Sequence, residues 1–331
     1  MRPIFRITAD AKDVTAAIKD RLGEITVVDE AGDRSDRVTI VIDNRDDKVP
    51  APRMDATLEV WLGYEETGLG RVGTYTADSV RESGWPKKLA VAGKAANMRK
   101  ELSRRRTQSY DDTTLGRIVS QIAGRHGLTP VVGSGLSNVA VPHVDQTSES
   151  DLHLLTRLGK THGAVATTKD NRLLFMPQGE AKNASGKDMP TIAIAGKDVI
   201  NFTMAAQSRG KYGAVVAKYH DQDSAERAEV TVGDGDAVFR LPGTYASEGE
   251  ASQAAQAKLD ALERGVATLE LTVPGRTDLT AGGLLAVSGI GRNVDGEWLI
   301  KTVTHRFTTS KDGYRVDIEA ETPKGKPKGL V

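Results

Sequence analysis

The chain has 331 residues, 45 basic and 45 acidic side chains, 34 glycines and no cysteine. Its length exceeds that of a typical single domain, so we expect two or three packed units. The balanced charge removes the overall attraction expected of a dedicated nucleic-acid or anionic-membrane binder. The absence of cysteine excludes disulfides, thiolate nucleophiles and cysteine zinc sites, and it fits assembly in a reducing cytoplasm.

The N-terminal segment MRPIFRITADAKDV has no apolar core of signal-peptide length. No stretch of the chain approaches the roughly 18 continuous apolar residues of a membrane span. We therefore expect neither a classical secretion signal nor a membrane anchor.

The first hundred residues alternate apolar and polar positions, which is typical of half-buried strands. The alternating segments are DRVTIVID, TLEVWLGY, VGTYTADSV and KKLAVAGKAA. A short helix is predicted ahead of them, with Asp13 as its N-cap and Gly23 at its end. Its apolar face would consist of Val14, Ile18 and Leu22.

A basic segment at residues 99–110 marks a change from strand to helical periodicity, and we place a domain boundary there. The first predicted helix after it is capped by Thr113 or Thr114 and closed by Gly127. Its apolar positions follow helical spacing: Leu115, Ile118, Val119 and Ile122.

A second helix is predicted where Ser148 and Asp151 resemble a capping box. It carries a leucine stripe and ends near Gly163. The segments AVATT and RLLFM flank Lys169, Asp170 and Asn171 and predict a hairpin. The polar segment 178–190 is expected to be an exposed loop or linker.

Strands resume at Thr191 and are interrupted by one predicted helix at about Glu248–Glu263, which Gly265 would end. The final residues, TPKGKPKGLV, have no periodicity, so we expect a mobile tail.

The two ends of the chain resemble each other, because LEVWLGY through LAVAGKAA aligns with LLAVSGI through YRVDIEAE. Each copy has an apolar strand, a Gly-rich turn, a strand with an aromatic residue (Tyr75 or Trp298), a turn and an alternating strand. DRVTIVIDN and ATLELTVPG would precede the two copies, and the helices at 14–22 and 251–262 would correspond. Identity is low, so chance alignment of generic strands is the alternative.

A duplication of this kind predicts two similar β-barrel-like domains, because closed sheets remove exposed edges. We expect a mainly β protein with an α+β insert. The predicted units are a first β-barrel-like domain at 1–105, a smaller α/β middle domain with two helices and a hairpin at 106–190, a second β-barrel-like domain with an inserted helix at 191–322, and a flexible tail at 323–331.

Histidines and carboxylates of the middle region invite interpretation as a metal or catalytic site, but their spacing matches no common ligand motif. Glu149 and Asp151 are two residues apart at a predicted helix start, where capping is favoured over a glycosidase pair. We predict ordinary hydrogen bonds and helix capping for His126, His143, His153, His162, Asp145, Glu149 and Asp151.

Three further motifs favour structural roles. Gly289-Ile290-Gly291 resembles part of a dinucleotide loop, but no helix with a third glycine follows it. Arg104, Arg105 and Arg106 form a basic run that is interpreted as solvated, with contact to DNA as the alternative. Large aromatic residues near strands usually fill a core or a subunit interface. We expect this role for Trp61, Trp85 and Trp298. We therefore predict no catalytic residue, no cofactor and no metal, and assign no interface residue.

The chain resembles the phage late control protein D, or tail hub, family, which is related to the hub part of VgrG-like injection proteins. The resemblance covers nearly the whole chain. The resemblance rests on the segments FRITADAKDV through RVTIVID, APR with LEVWLGY and GTYTADSV, TLGRIVSQIAGRHGL, and HVDQTSESDLHLLTRLGKTHGA with RLLFMPQGEAKNASG. The DQTSESDL helix entry followed by LTRLG is the most specific part.

The resemblance implies a non-enzymatic baseplate hub: a homotrimeric ring of paired tube domains whose pseudo-sixfold face meets the hexameric tail tube and whose threefold face seats a trimeric spike. It implies assembly in the bacterial cytoplasm, contacts with tube, spike, tape-measure and baseplate wedge proteins, and passage of DNA through the lumen. Because no spike repeat follows the second barrel-like region, we expect a separate spike protein. Phage tails and headless bacteriocins both fit.

Two alternatives come from other functional classes. A tail-associated peptidoglycan hydrolase would place its chemistry in the middle domain. A peripheral receptor-binding module is also permitted by a β-rich fold, because fold class does not determine function.

Overall fold

A computed structural model of the chain describes residues 1–31, 35–95, 102, 104–169, 172–179, 189–206, 212–221, 226–263, 267–309 and 313–323. The predicted turn at Asp170 and Asn171, most of the predicted loop 178–190, the predicted helix end at Gly265 and nearly all of the predicted tail lie outside the described residues. Among the described residues, no helix is both long and apolar enough to cross a membrane.

The N-terminal region is a set of strands with one short helix. Its elements are β1 (Pro3–Ala9), β2 (Lys12–Asp13), α1 (Thr15–Ile18), β3 (Leu22–Glu30), β4 (Arg37–Asp43), β5 (Thr57–Tyr64), β6 (Gly68–Ser83) and β7 (Lys88–Ala95). The four alternating segments are confirmed as β4, β5, β6 and β7. Their apolar positions face one core, as the buried Val38, Ile40 and Ile42 show.

The predicted helix at 13–22 is wrong in length, because only Thr15–Ile18 is helical. Leu22 already pairs with Ile42 in the ladder between β3 and β4. The β-branched run that follows Glu24 favours an extended chain, so the strand displaces the last helical turn. Asp13 still satisfies a backbone donor of this segment, since its carboxylate accepts the Thr15 N–H at 2.8 Å.

The middle region packs helices against short sheets. Its elements are β8 (Arg105–Thr114), α2 (Leu115–Arg125), β9 (Thr129–Val132), α3 (Ser134–Ser137), β10 (Ala140–Ser150), α4 (Asp151–His162), β11 (Ala164–Lys169) and β12 (Arg172–Pro177). The predicted helix α2 is confirmed: the Thr114 hydroxyl accepts the Arg117 N–H, and all four predicted apolar positions are buried. β11 and β12 pair as the predicted antiparallel hairpin.

The N-cap of α4 is Ser150, whose hydroxyl accepts the His153 N–H, and not the predicted Ser148. Ser148 instead lies in β10 at a φ of 48°, between the register positions of Gln146 and Glu149 where the ladder with β8 is irregular. A bulge therefore takes up the residues that the sequence pattern assigned to the helix entry. Gly163 ends α4 in the left-handed conformation, as predicted.

The C-terminal region consists of β13 (Ile192–Ala195), a 3-10 turn (Gly196–Asp198), β14 (Asn201–Ala206), β15 (Ala214–His220), β16 (Arg227–Gly233), β17 (Val238–Tyr245), α5 (Glu248–Glu263), β18 (Ala267–Pro274), β19 (Leu284–Ser288), β20 (Gly296–Thr308) and β21 (Tyr314–Glu321). β16, β15 and β17 form a separate sheet. α5 packs on it through Ala251 and Ala255, which allow close approach of the helix to the sheet.

The two ends of the chain form one sheet. Among the described residues this sheet has 13 strands, in the order β14-β18-β21-β20-β3-β4-β7-β6-β5-β1-β2, with β19 paired to β20 and β13 paired to β19. One hydrophobic core runs through both halves. No pairing between described strands joins the two ends of this order. The fold is mainly β, as predicted, but the two predicted outer units share a sheet and a core.

The duplication is visible in the strand order. The N-terminal order β3-β4-β7-β6-β5-β1 is repeated by the C-terminal order β14-β18-β21-β20-β19-β13. The strands also follow each other along the chain in the same sequence, with α1 and the 3-10 turn in matching places. One pairing differs, because β1 runs antiparallel to β5 whereas β13 runs parallel to β19.

The predicted correspondence between the helices at 14–22 and 251–262 is wrong. α5 follows β17 within a segment inserted between β14 and β18, and the direct link from β3 to β4 has no equivalent of it. Both predicted helices precede an alternating strand, so sequence order alone suggested a match that the topology does not support.

The repeat extends to a local irregularity. The ladder between β6 and β7 shifts between Ala77 and Ser79, and the ladder between β20 and β21 shifts between Ile300 and Thr302. The extra residue in each bulge carries an ion pair to the neighbouring strand with the charges exchanged: Asp78 with Lys94 at 2.7 Å, and Lys301 with Glu321 at 3.2 Å. Conserved bulge geometry with reversed charges favours duplication over chance alignment.

The junction of the two halves is an antiparallel ladder between β20 and β3. Phe5 and Phe307 meet there edge to face, with centroids 5.3 Å apart. The Tyr64 hydroxyl donates to the Tyr314 carbonyl at 3.1 Å and accepts the Gly275 N–H at 3.0 Å. These contacts tie β5 of the first half to the strands of the second.

His305 is buried at this junction, with Nδ1 2.8 Å from the Tyr314 hydroxyl. Burial lowers the pKa of His305 to about 4 from an ordinary 6.5. Between these two pH values the unfolded chain binds a proton that the folded chain does not. The contribution of the neutral side chain is therefore present above pH 6.5 and is lost as the pH falls towards 4.

We expect the free energy of unfolding to fall by roughly 3 kcal/mol more from pH 6.5 to pH 4 in the original chain than in a His305→Gln variant. Urea unfolding at several pH values measures this difference. His220→Gln, at an exposed position in β15, is the control and should keep the original pH dependence. Parallel pH profiles for the original chain and His305→Gln would contradict the assignment.

Candidate functional site

The middle region contains a buried ionic centre around Asp151, the first residue of α4. One carboxylate oxygen lies 3.3 Å from Arg106 Nε and 3.2 Å from Arg125 Nη1, and it accepts a hydrogen bond from the Gln146 side-chain amide at 2.8 Å. The other oxygen lies 2.8 Å from His126 Nε2. A fully buried carboxylate needs such partners, because an uncompensated charge there is costly.

This centre connects four elements, since Arg106 lies on β8, Arg125 near the end of α2, Gln146 on β10 and Asp151 on α4. The prediction that Asp151 acts at a helix start is confirmed, but its main contacts are with side chains. The interpretation of the basic run as solvated is wrong for Arg106, because this side chain lies against Asp151. The spacing of these residues in the sequence gives no sign of the cluster, because the β8–β10 ladder brings them together.

Glu149 faces a different set of partners from Asp151. It accepts a hydrogen bond from Arg157 at 2.8 Å and pairs with His153. Burial raises the pKa of the Glu149 carboxyl, but the hydrogen bonds from Arg157 and His153 outweigh that effect, so the pKa lies below its ordinary value. The acid of a glycosidase pair needs a raised pKa, so the electrostatics at Glu149 disfavour that role.

The four middle histidines do not converge. His126 contacts Asp151, and His153 contacts Glu149. His143 is exposed between two carboxylates, and its hydrogen bonds to Asp111 and Asp145 raise its pKa. His162 lies beside α5, where burial lowers its pKa and a hydrogen bond with Gln253 opposes that shift.

Among the described residues, no group of three or more histidine, aspartate or glutamate side chains is arranged to hold a metal ion.

The glycine loop after β19 is occupied by the chain itself. The Asp295 carboxylate accepts the N–H groups of Gly289, Ile290 and Gly291 at 3.0, 2.9 and 3.1 Å. These hydrogen bonds hold the pKa of Asp295 below its ordinary value. A phosphate would have to displace this carboxylate, and β20 follows instead of a helix. The prediction of a turn and a strand is confirmed, but sequence reasoning missed Asp295.

The three tryptophans have three different environments. Trp298 is buried in the main core and donates its indole N–H to the Val294 carbonyl at 2.7 Å. Trp61 lies under the Arg6 guanidinium, 3.9 Å from the ring centroid. Trp85 is 90% exposed in the turn between β6 and β7. The predicted core role is confirmed for Trp298 alone.

Replacing Asp151 with Asn should lower the free energy of unfolding by about 3–5 kcal/mol, because two arginines would lose their buried counter-charge. Urea unfolding measures the loss. Asp145→Asn is the matched control: this carboxylate pairs with His143 at the surface, so its removal should leave stability unchanged within error. Equal stabilities of the two variants would show that the Asp151 centre does not hold the middle region together.

Comparison with known proteins identifies the family. The family described as phage tail baseplate hub (GPD) matches residues 52–311. A protein of Escherichia phage 186 named "Probable baseplate hub protein" is 34% identical, with 97% of this chain and 93% of that protein aligned. The corresponding protein of Escherichia phage P2 is 32% identical over the same shares of the two chains.

A solved tail protein from Neisseria meningitidis MC58 has the same fold at 12% identity, with a TM-score of 0.72 and 97% of each chain aligned. The similarities extend over nearly all of the chain, including both copies of the repeated strand order. The chain belongs to the phage tail baseplate hub family.

Proposed function

We propose that this chain is the structural hub of a contractile phage tail or related injection machine, a homotrimeric ring that joins the hexameric tail tube to a trimeric central spike. The main observation in support of this proposal is the repeated strand order within one chain. Three chains with two similar halves present six nearly equivalent units, so one protein can contact a sixfold tube and a threefold spike.

The two copies differ in a way that suits such an adaptor. Between β14 and β18 the second copy carries an inserted sheet and α5, whereas the first copy connects β3 directly to β4. The middle region also occurs once per chain. A ring of three chains would thus combine six similar sheets with three copies of each insertion, so its symmetry would be threefold outside the repeated part.

The finer architecture belongs to this proposal. Each repeated half would form a barrel-like tube domain, with the division at 1–105, 106–190 and 191–322. The proposed partners are the tail tube, central spike, tape-measure and baseplate wedge proteins. The lumen would pass the tape-measure protein and later DNA. The place of action would be the tail baseplate, after assembly in the host cytoplasm.

The hub would act through geometry and not through catalysis. The polar groups that suggested chemistry, Asp151, Glu149 and the glycine loop, are occupied by partners within the chain. In the part of the chain that the structure describes, no specific contact favours the peptidoglycan hydrolase or the receptor-binding module.

Electron microscopy of the purified chain, alone and with its spike, should show a threefold ring with six similar units, and native mass spectrometry should give the mass of three chains. Monomers under both conditions would contradict the hub. Localisation of a tag on this chain at the tail periphery would favour a receptor-binding module.

A peptidoglycan zymogram tests the competing enzyme. We expect no clearing by the original chain. Clearing that disappears in a Glu149→Gln variant with unchanged stability would contradict a purely structural role.

A further inference from the structure

The middle region has a groove whose polar side chains are not used by the chain itself. It lies between the first two turns of α2, β9 and the end of α3, and its volume is about 560 Å³. Volumes of this size are typical of ligand pockets. Arg117 and Ser120 line it from α2, and Ser137 and Asn138 line it from the end of α3. No other described residue forms a hydrogen bond or an ion pair with any of these four side chains.

Other polar groups of the middle region are paired within the chain. A larger groove of about 690 Å³ lies around Glu149. However, Glu149 accepts a hydrogen bond from Arg157 and pairs with His153. Asp145, which also lines that groove, accepts a hydrogen bond from Ser109 at 2.6 Å. Because a ligand would have to replace these contacts, the groove beside α2 is the stronger candidate for a binding site.

Backbone contacts hold the walls of the groove beside α2 together. Gly116, in the first turn of α2, lies directly against the end of α3, where a Cβ atom would approach the Ser137 carbonyl oxygen to 2.6 Å. The Leu115 N–H donates to the Val139 carbonyl at 3.0 Å. Leu136 of α3 is buried in the core of the middle region. The groove is therefore formed before a ligand binds, which lowers the entropic cost of binding.

The composition of the groove disfavours two classes of macromolecule. Its charged lining consists of Arg117, whereas a nucleic-acid site needs several cations along the phosphate backbone. Its apolar lining, Pro130 and Val132, contains no aromatic side chain, whereas the centres of protein interfaces are enriched in aromatic residues. Hydroxyl and amide groups dominate the lining instead. They fit a ligand that presents many hydroxyl and amide groups of its own, which is the chemistry of a glycan.

The neutral lining groups match those of an amino sugar. Three hydroxyls can exchange hydrogen bonds with sugar hydroxyls. They belong to Thr114, Ser120 and Ser137. The Asn138 amide can both donate to and accept from an acetamido group. The methyl group of that acetamido group would find apolar contacts at Pro130 and Val132.

Arg117 indicates that the ligand also carries negative charge. This residue lies in the first turn of α2, which contains no acidic side chain. A cation at this end of a helix opposes the helix dipole. A carboxylate in the groove would offset both positive charges and can accept two hydrogen bonds from the guanidinium.

We propose that this groove binds an amino-sugar glycan with acetamido and carboxylate groups, the chemistry of bacterial cell-wall strands. The glycan is bound and not cleaved, because the described lining residues include no carboxylate to act as the acid or nucleophile of a glycosidase. The site belongs to a single chain and does not depend on the proposed ring. In a ring of three chains, three equal sites would hold the hub on a polymeric wall by multivalency.

Ligand-observed NMR on the full chain with three tetrasaccharides tests the proposal. The first alternates N-acetylglucosamine and N-acetylmuramic acid without peptide, the second contains N-acetylglucosamine alone, and the third is maltotetraose, which has hydroxyl groups only. We expect the dissociation constant to rise in this order, with the first binding about tenfold more tightly than the second through its carboxylates. Equal affinity for all three, or no saturation transfer to any of them, would overturn the proposal.

Arg117→Gln separates recognition of the carboxylate from recognition of the sugar. It should abolish the preference for the first tetrasaccharide and leave the affinity for the second unchanged. Arg292→Gln is the matched control, because this arginine is exposed in the loop after β19 and does not line the groove. An equal loss of preference in both variants would assign the effect to overall charge and contradict a site at Arg117.

Asn138→Ala tests recognition of the acetamido group. The dissociation constants of both amino-sugar tetramers should rise about fivefold, since hydrogen bonds to that group are lost. Asn293→Ala, at an exposed position in the loop after β19, should leave them unchanged. Circular dichroism checks that each variant is folded. Unchanged binding by folded Asn138→Ala would place the glycan elsewhere and overturn the proposed groove.

Two further readouts separate the proposals from each other. Mass spectrometry should recover the tetrasaccharides intact, and shortened products would contradict binding without cleavage. A three-chain ring that binds none of the saccharides would overturn the groove and leave the hub proposal intact. Glycan binding by a chain that remains a monomer, alone and with its spike, would support the groove and contradict the hub.

Discussion

The ladder between β20 and β3 is the interaction on which the rest of the structure depends. It makes one sheet out of two repeated halves and brings Phe307, Phe5 and Tyr314 into a common core. A bulge bends its strand and increases the local twist. The shift between Ile300 and Thr302 lies where β20 passes from β19 to β3.

Because the chain is duplicated, the bulge of β20 has an equivalent in the first half. β6 has the equivalent bulge. Of the two equivalent strands β3 and β14, only β3 pairs with an edge of this type among the described strands. A monomer thus satisfies one of the two junctions that its own repeat specifies. Exposed strand edges are usually shortened, charged or covered in stable monomers. Here Phe202 on β14 and Trp85 after β6 are exposed apolar residues, although the edge of β6 also carries the charged Arg81 and Glu82.

The sequence predicted the elements whose signal is local. Alternation specified β4, β5, β6 and β7, and helical spacing specified α2. It could not specify that Leu22 belongs to a strand, because residues 14, 18 and 22 fit a helix and only the ladder with Ile42 decides. Nor could it place Arg106 against Asp151 or Asp295 under the glycine loop, since these contacts depend on strand pairing and turn closure. The duplication of the strands could be predicted from the sequence. The predicted match between the two helices could be tested only against the strand topology.

The polar clusters and the open edges lead to the same conclusion about how the protein works. Asp151 has its charge neutralised inside the middle region, Glu149 is held by Arg157, and Asp295 occupies the N–H groups of its loop. Groups that are satisfied internally stabilise local structure and leave little for a ligand. Among the described strands, the outer edges of β14 and of the second part of β6 have no partner. Open strand edges are templates for a further strand, which is consistent with the proposed role in assembly.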